Sequence, residues 1–279
     1  MKKRNLKSWA EFRTEIDKIR LDYGYHEYPI GNGQTHKHKN TILFRGQASA
    51  KWPLKTTLER ETDKEFTFMR YLSDARYIIP ELESYTGIKW DYLPNVSDFY
   101  GVIGNRNKVF GPDPFPDYEY WVYLRHHGYP SPFLDWSESP YIAAYFAMCD
   151  ANPKEECIAV FVYIESINSG KDFYGEGKPL IQEKGPHIAT HKRHFMQKAC
   201  YTMALKWVEE RKDYVFCSHD EIFDKKHPKQ DILIKITIPI ADRKLALKEL
   251  DDYNINHFTL FQTEDSLIRK FSMENFDMG

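Results

Sequence analysis

The sequence predicts an α+β fold in one domain spanning residues 1–279, and three observations carry that prediction. Trp9, Phe12, Ile16 and Ile19 recur at helical spacing and form one apolar face. Cys157 to Ile164 is a nearly continuous apolar run, as a buried strand requires, and Ile232 to Ile238 alternates isoleucine with Leu233, Lys235 and Thr237, the period of a half-buried strand. No repeat, low-complexity tract or linker divides the chain.

Composition narrows the class. Thirty-nine Lys and Arg stand against 41 Asp and Glu, a net charge of −2, alongside six Trp, nineteen Tyr and eighteen Phe. Near-neutral charge with many apolar rings excludes intrinsic disorder, and it excludes a binder that works mainly by neutralising phosphates. A local basic groove remains compatible with it. No stretch approaches the eighteen or so consecutive apolar residues of a membrane span, and no apolar signal core follows the basic Met1–Asn5 start. Cys149, Cys157, Cys200 and Cys217 form no CxxC pair, which predicts reduced thiols in a cytoplasmic protein.

The elements follow in order. Ser8 and Glu11 have capping-box spacing and open a helix over about 6–22. From Gly24 to Asn40 the His, Gly, Asn and Lys content predicts an exposed loop, and Thr41 to Gly46 a short strand ending on a charge. Residues 59–86 have helical period, with Phe66, Met69, Leu72 and Ala75 on one side. Pro112 to Pro116 reads as a loop, Tyr118 to His126 as a short aromatic helix, and Ser139-Pro140 as the cap and first position of a small-residue helix. Arg193 to Thr202 fits helix or strand equally. A last helix follows Thr263 and carries Leu267, Ile268 and Phe271.

Three clusters hold residue types that a packed core does not need. Phe44-Arg45-Gly46 places an arginine at the end of an apolar strand, where burial is costly unless an anion or carboxylate meets it. Its planar fork suits phosphate or carboxylate, and the glycine would let a ligand approach; an ion pair with Asp135 or another acid is an equal structural alternative. His126 to Ser137 gathers two imidazoles, hydroxyls, a carboxylate and an indole around a Gly/Pro bend, and brings Ser137 near a helix N-terminus that favours anions. In the plain alternative Asp135 and Ser139 cap the turn and Trp136 fills core. Gln197 lies polar in an aromatic stretch, and Glu264 and Asp265 sit at a helix start, where acids usually only complement the dipole. His36 and His38 read as solvated rather than metal-binding, and no phosphate-binding glycine loop or nucleophile elbow occurs.

Together these residues resemble the FRG-domain family. Phe44-Arg45-Gly46 is its naming motif, and Arg125-His126-His127-Gly128-Tyr129-Pro130-Ser131 through Leu134-Asp135-Trp136-Ser137, then Pro140 and Ala144-Tyr145-Phe146-Ala147, is similar to its longest signature. Arg193 through Gln197 to Tyr201, and Leu260-Phe261 to Asp265 and Leu267, resemble its later segments, so the resemblance spans about residues 6–275. His127, Pro132, Ala199, Gln262 and Ser266 depart from the pattern.

The resemblance implies an ADP-ribosyltransferase-like split mixed/antiparallel β core with flanking helices, NAD as co-substrate and no metal. By the same implication the chain is a toxin or phage-defence effector. It would transfer ADP-ribose to a macromolecular acceptor, protein or single-stranded nucleic acid, and an antitoxin or chaperone would partner it. Arg45 would hold the pyrophosphate or adenosine ribose. Ser137, with Asp135 supporting the turn, would shape the nicotinamide-ribose pocket, and Tyr145 or Phe146 would stack on nicotinamide. Gln197 would reach the ribose or acceptor, Asp135 or Asp265 would supply the carboxylate, and Phe44, Gly46 and His126 would complete the cofactor site. A plain NAD glycohydrolase and a non-catalytic nucleotide or nucleic-acid binding module are the rival functions.

Overall fold

In a computed structural model the chain is α+β, described over residues 1–62, 64–90, 101, 117–165, 180–184, 192–220 and 231–278. In chain order its elements begin with β1 (Lys2–Asn5), α1 (Phe12–Tyr23), β2 (Tyr25–Gly31), β3 (Gln34–Lys39) and β4 (Ile42–Gln47). Helices α2 (Thr57–Glu61), α3 (Phe68–Tyr77), α4 (Ile79–Thr86) and α5 (Tyr118–His126) follow, then β5 (Phe133–Ser137), α6 (Pro140–Cys149), β6 (Cys157–Ile164) and β7 (Leu180–Lys184). The remainder is α7 (Lys192–Met196), β8 (Ala199–Val208), β9 (Asp213–Phe216), β10 (Ile232–Pro239), α8 (Arg243–Asp252), α9 (His257–Phe261) and α10 (Glu264–Ser272).

Eight strands form one sheet in the order β1-β10-β6-β4-β5-β8-β7, with β9 also on β8. The β1–β10 pair is parallel and the other pairs are antiparallel, so the sheet is mixed. The apolar run of β6 is explained by burial on both faces. Val160 and Val162 pack with Phe12, Ile16 and Ala144 from the helices on one side, while Phe161 and Tyr163 meet Leu43 and Trp136 on the other. A third cluster, mostly aromatic, joins α3 and α5 to β8 through Phe68, Tyr71, Trp121, Phe133 and Tyr201.

The sheet is weakest at its centre. β4 pairs with β6 over six positions, from Ile42↔Ile164 to Gln47↔Ala159, but it meets β5 at Phe44↔Ser137 alone. Beyond that bridge the two strands diverge, and the sheet splits into two halves.

Several local expectations are corrected. Residues 24–40 are not a loop: β2 and β3 form an antiparallel hairpin around Asn32-Gly33, whose φ values of 52° and 72° give the double left-handed turn that such hairpins use. The strand signal was hidden because β3 is exposed along its length, so no apolar alternation marks it. Ser8 makes no side-chain cap; Glu11 accepts from Lys7 N instead, and Trp9 N donates to Asp242. The 59–86 stretch breaks into three helices, because Thr67 caps a new one at Phe68. Arg193 to Thr202 is both helix and strand, with a turn at Gln197-Lys198 where Lys198 has φ 46°. In α10 Leu267 is half-buried and Ile268 and Phe271 face outward, while Ser266 is the buried residue, held by a capping box with Thr263. Pro112 to Pro116 lies outside the described residues.

Candidate functional site

The split between β4 and β5 opens a cavity of about 340 Å³. The sequence places it there through two devices. Ser139 caps α6 by accepting from Ile142 N, and Pro140 starts it, so the helix turns back across the sheet directly after β5. Gly46 then lets that helix lie against β4: a Cβ there would stand 1.9 Å from the Ala143 carbonyl oxygen and 2.7 Å from Ala147 N. The glycine therefore serves helix packing as well as lining the cavity.

A continued β4–β5 ladder would set Gly46 opposite Asp135. Instead Arg45 Nη1 donates to the Asp135 carbonyl at 2.7 Å, and its guanidinium occupies the gap. The Asp135 carboxylate is taken by Arg125, at the end of α5, whose Nε and Nη2 donate to the two oxygens. Arg45 Nη1 is 3.8 Å from Asp135 Oδ2, within ion-pair range but too far for a hydrogen bond. The ion-pair alternative for Arg45 is thus met only in part, since Arg125 is the main partner.

The two arginines differ in consequence. Burial pulls the Arg45 guanidinium down to about 10; Asp135 opposes this and the charges of Arg125 and Arg60 add to it. Burial works against Arg125 as well, but the charge and hydrogen bonds of Asp135 win and hold it above its ordinary value. The half-exposed Asp135 carboxyl, which burial alone would raise, lies below the usual carboxylate range because of Arg125, Arg45 and His126. Among the described residues lining the cavity, two guanidinium groups face one carboxylate, so the site favours an anion.

The remaining walls are polar and aromatic. His126 Nε2 lies 3.0 Å from the Tyr201 hydroxyl, which is also 3.4 Å from Nδ1 of the buried His194. Ser137 Oγ donates to the Gln197 carbonyl at 2.7 Å and accepts from Ser139 N at 3.0 Å. That hydroxyl joins strand to turn. Gln197 Nε2 donates to the Leu260 carbonyl at 3.1 Å, leaving its side-chain oxygen as an acceptor. Phe146 and Phe261 meet edge to face at 6.0 Å and line the cavity with Phe44 and Trp136.

Of the predicted site residues, Phe44, Arg45, Gly46, His126, Asp135, Ser137, Phe146 and Gln197 line this one cavity. Two are elsewhere. Tyr145 is 2% exposed, packs in the helical core and approaches His257 Nδ1 at 3.2 Å, so it lies a helix face away from the cavity that Phe146 borders. Asp265 is exposed in the first turn of α10, outside the cavity, which suits a helix-dipole role. Arg125, Thr57, Tyr201 and Phe261 also line the cavity and were not predicted as site residues. Arg125 had a signal, since it opens the longest motif as the cation ten residues before Asp135.

No group of three or more metal-ligating side chains occurs among the described residues, and no described helix is long and apolar enough to cross a membrane. Comparisons with curated proteins and with solved structures give no significant match. A family comparison does: residues 40–156, the span holding Arg45, Arg125, Asp135 and α6, match the family model of the FRG domain.

Proposed function

We propose that the cavity binds NAD and that the chain uses it as an ADP-ribosyl donor, acting as a toxin or defence effector on a protein or nucleic-acid acceptor. The observation that carries the binding half is the under-paired Arg45 at the split, with Arg125 beside it. Arg45 takes the pyrophosphate, Phe146 and Phe261 flank the nicotinamide, and the free Gln197 oxygen accepts from a ribose hydroxyl. At about 340 Å³ the cavity suits the nicotinamide-ribose half of a dinucleotide, with the adenosine end projecting outside. The transfer half, the acceptor and an antitoxin or chaperone partner rest on the FRG-family resemblance.

One observation favours a second reading. Cleaving the nicotinamide bond develops a cation at the sugar, which a carboxylate stabilises. Asp135 is the one carboxylate among the described cavity residues, and Arg125 already holds both its oxygens. A non-catalytic nucleotide-binding module fits that arrangement. Chromatography of NAD incubated with the protein separates the readings: nicotinamide release that Asp135→Asn abolishes supports transfer or hydrolysis, whereas binding without release supports the module. Labelled NAD then divides transfer from hydrolysis, through label retained on a macromolecule or free ADP-ribose.

A further inference from the structure

Behind the cavity three buried polar atoms lack a hydrogen-bond partner among the described residues: Arg45 Nε, Gln47 Oε1 and His219 Nδ1. Such atoms are uncommon, and each costs free energy unless something meets it. A short chain of contacts links the residues that carry them. Arg45 and Gln47 are two residues apart on β4 and leave the same face. Gln47 Nε2 donates to the Pro53 carbonyl, the next residue Leu54 donates its N–H to Asp220, and Asp220 follows His219. His219 and Trp136 meet at Thr202, and Trp136 follows Asp135, whose carbonyl Arg45 holds.

Their chemistry is complementary. Arg45 Nε can only donate and Gln47 Oε1 can only accept. His219 Nε2 lies 2.9 Å from Thr202 Oγ1, which also receives Trp136 Nε1–H at 2.6 Å. With Nε2 donating to that oxygen, His219 Nδ1 is an acceptor. One donor and two acceptors match a single water molecule, and buried waters typically make about three bonds of this kind.

We propose that one buried water accepts from Arg45 Nε and donates to Gln47 Oε1 and His219 Nδ1, making Gln47 and His219 positioning residues for the cavity's arginine. Fixed at Nε by the water and at Nη1 by the Asp135 carbonyl, the guanidinium presents Nη2, which makes no hydrogen bond among the described residues, to an oxyanion. His219 is suited to the task because burial, and then Arg45, pull its pKa down to about 3, so the ring stays a neutral acceptor. The functional weight of this bracket rests on the reading of Arg45 as the anion-holding side chain; the water itself does not.

Nitrogen-15 NMR of the Arg45 Nε–H group tests it. The expected result is slow solvent exchange in the wild type and at least tenfold faster exchange in Gln47→Leu and His219→Leu, with His219→Gln, which keeps an acceptor, restoring part of the protection. ADP-ribose affinity by calorimetry should fall about tenfold in the leucine variants and recover in His219→Gln, a pattern that loss of packing alone would not produce. Fast exchange in the wild type overturns the proposal. So does a high-resolution crystal structure without a water shared by the three atoms, a test that stands even where a variant fails to fold. If the wild type protects Nε–H but binds no ADP-ribose, the bracket stands and the functional reading fails.

Discussion

The two halves of the central sheet are built by opposite rules. Between β6 and β4 six residue pairs close the ladder and apolar side chains cover both faces, whereas between β4 and β5 a single pair remains and two arginines and an aspartate fill the opening. Backbone pairing stops where polar side chains take over its hydrogen bonds, as Arg45 does at the Asp135 carbonyl. The same contrast recurs between the arginines: Arg125 is neutralised by both oxygens of Asp135, and Arg45 is not. One holds the site together. The other keeps a donor that no described acceptor meets, and burying it costs stability.

The contrast can be broken first at its hinge. Gly46→Ala drives a Cβ into the α6 backbone, and equilibrium denaturation should show a loss of about 3 kcal/mol or more. Full stability would mean that α6 does not rest on β4 as described. Next, Arg125→Met strands the Asp135 carboxylate and should cost about 2 kcal/mol, less than a fully buried pair because Asp135 is half-exposed. Arg45→Met should instead be neutral or stabilising by about 1 kcal/mol without ligand, since it removes a desolvated charge that nothing fully compensates. Equal losses in both variants would erase the distinction between the two arginines.

Acid sharpens the same point. The Asp135 pKa is depressed in the folded state, so its stabilising contribution is complete above the unfolded carboxylate value of about 4 and is lost as pH falls through the lower folded value. Denaturation of wild type and Asp135→Asn should therefore differ at neutral pH and converge in acid, and Arg125→Met should remove most of the difference. A modest loss is expected at the helix that closes the fork: Ser139→Ala should cost about 1 kcal/mol with its cap.

Much of this was legible in the sequence because local chemistry decided it. Ser139-Pro140 marks the start of α6 and the apolar run marks β6, while Arg45 and the His126–Ser137 cluster were joined in one site by the family resemblance alone. What stayed hidden depends on which side of an element faces the core. Tyr145 and Phe146 are adjacent on α6, and sequence does not say which of them borders the cavity; the helix turns Phe146 to the fork and Tyr145 to His257. Arg125 was hidden because its partner lies across a bend in the chain, and His219 because its contact with Thr202 on β8 comes from a segment beyond β9. The β2–β3 hairpin lacks an apolar face, so only Asn32-Gly33 announced it.

On the function proposed above, the fork binds a nucleotide through an arginine the fold leaves under-paired. Calorimetric titration of NAD into wild type and Arg45→Met tests it most directly. Saturable binding to the wild type is expected, with a loss of at least about 100-fold, some 3 kcal/mol, in a variant that melts no lower. An absence of NAD binding by the wild type, or equal affinity in Arg45→Met, would contradict it.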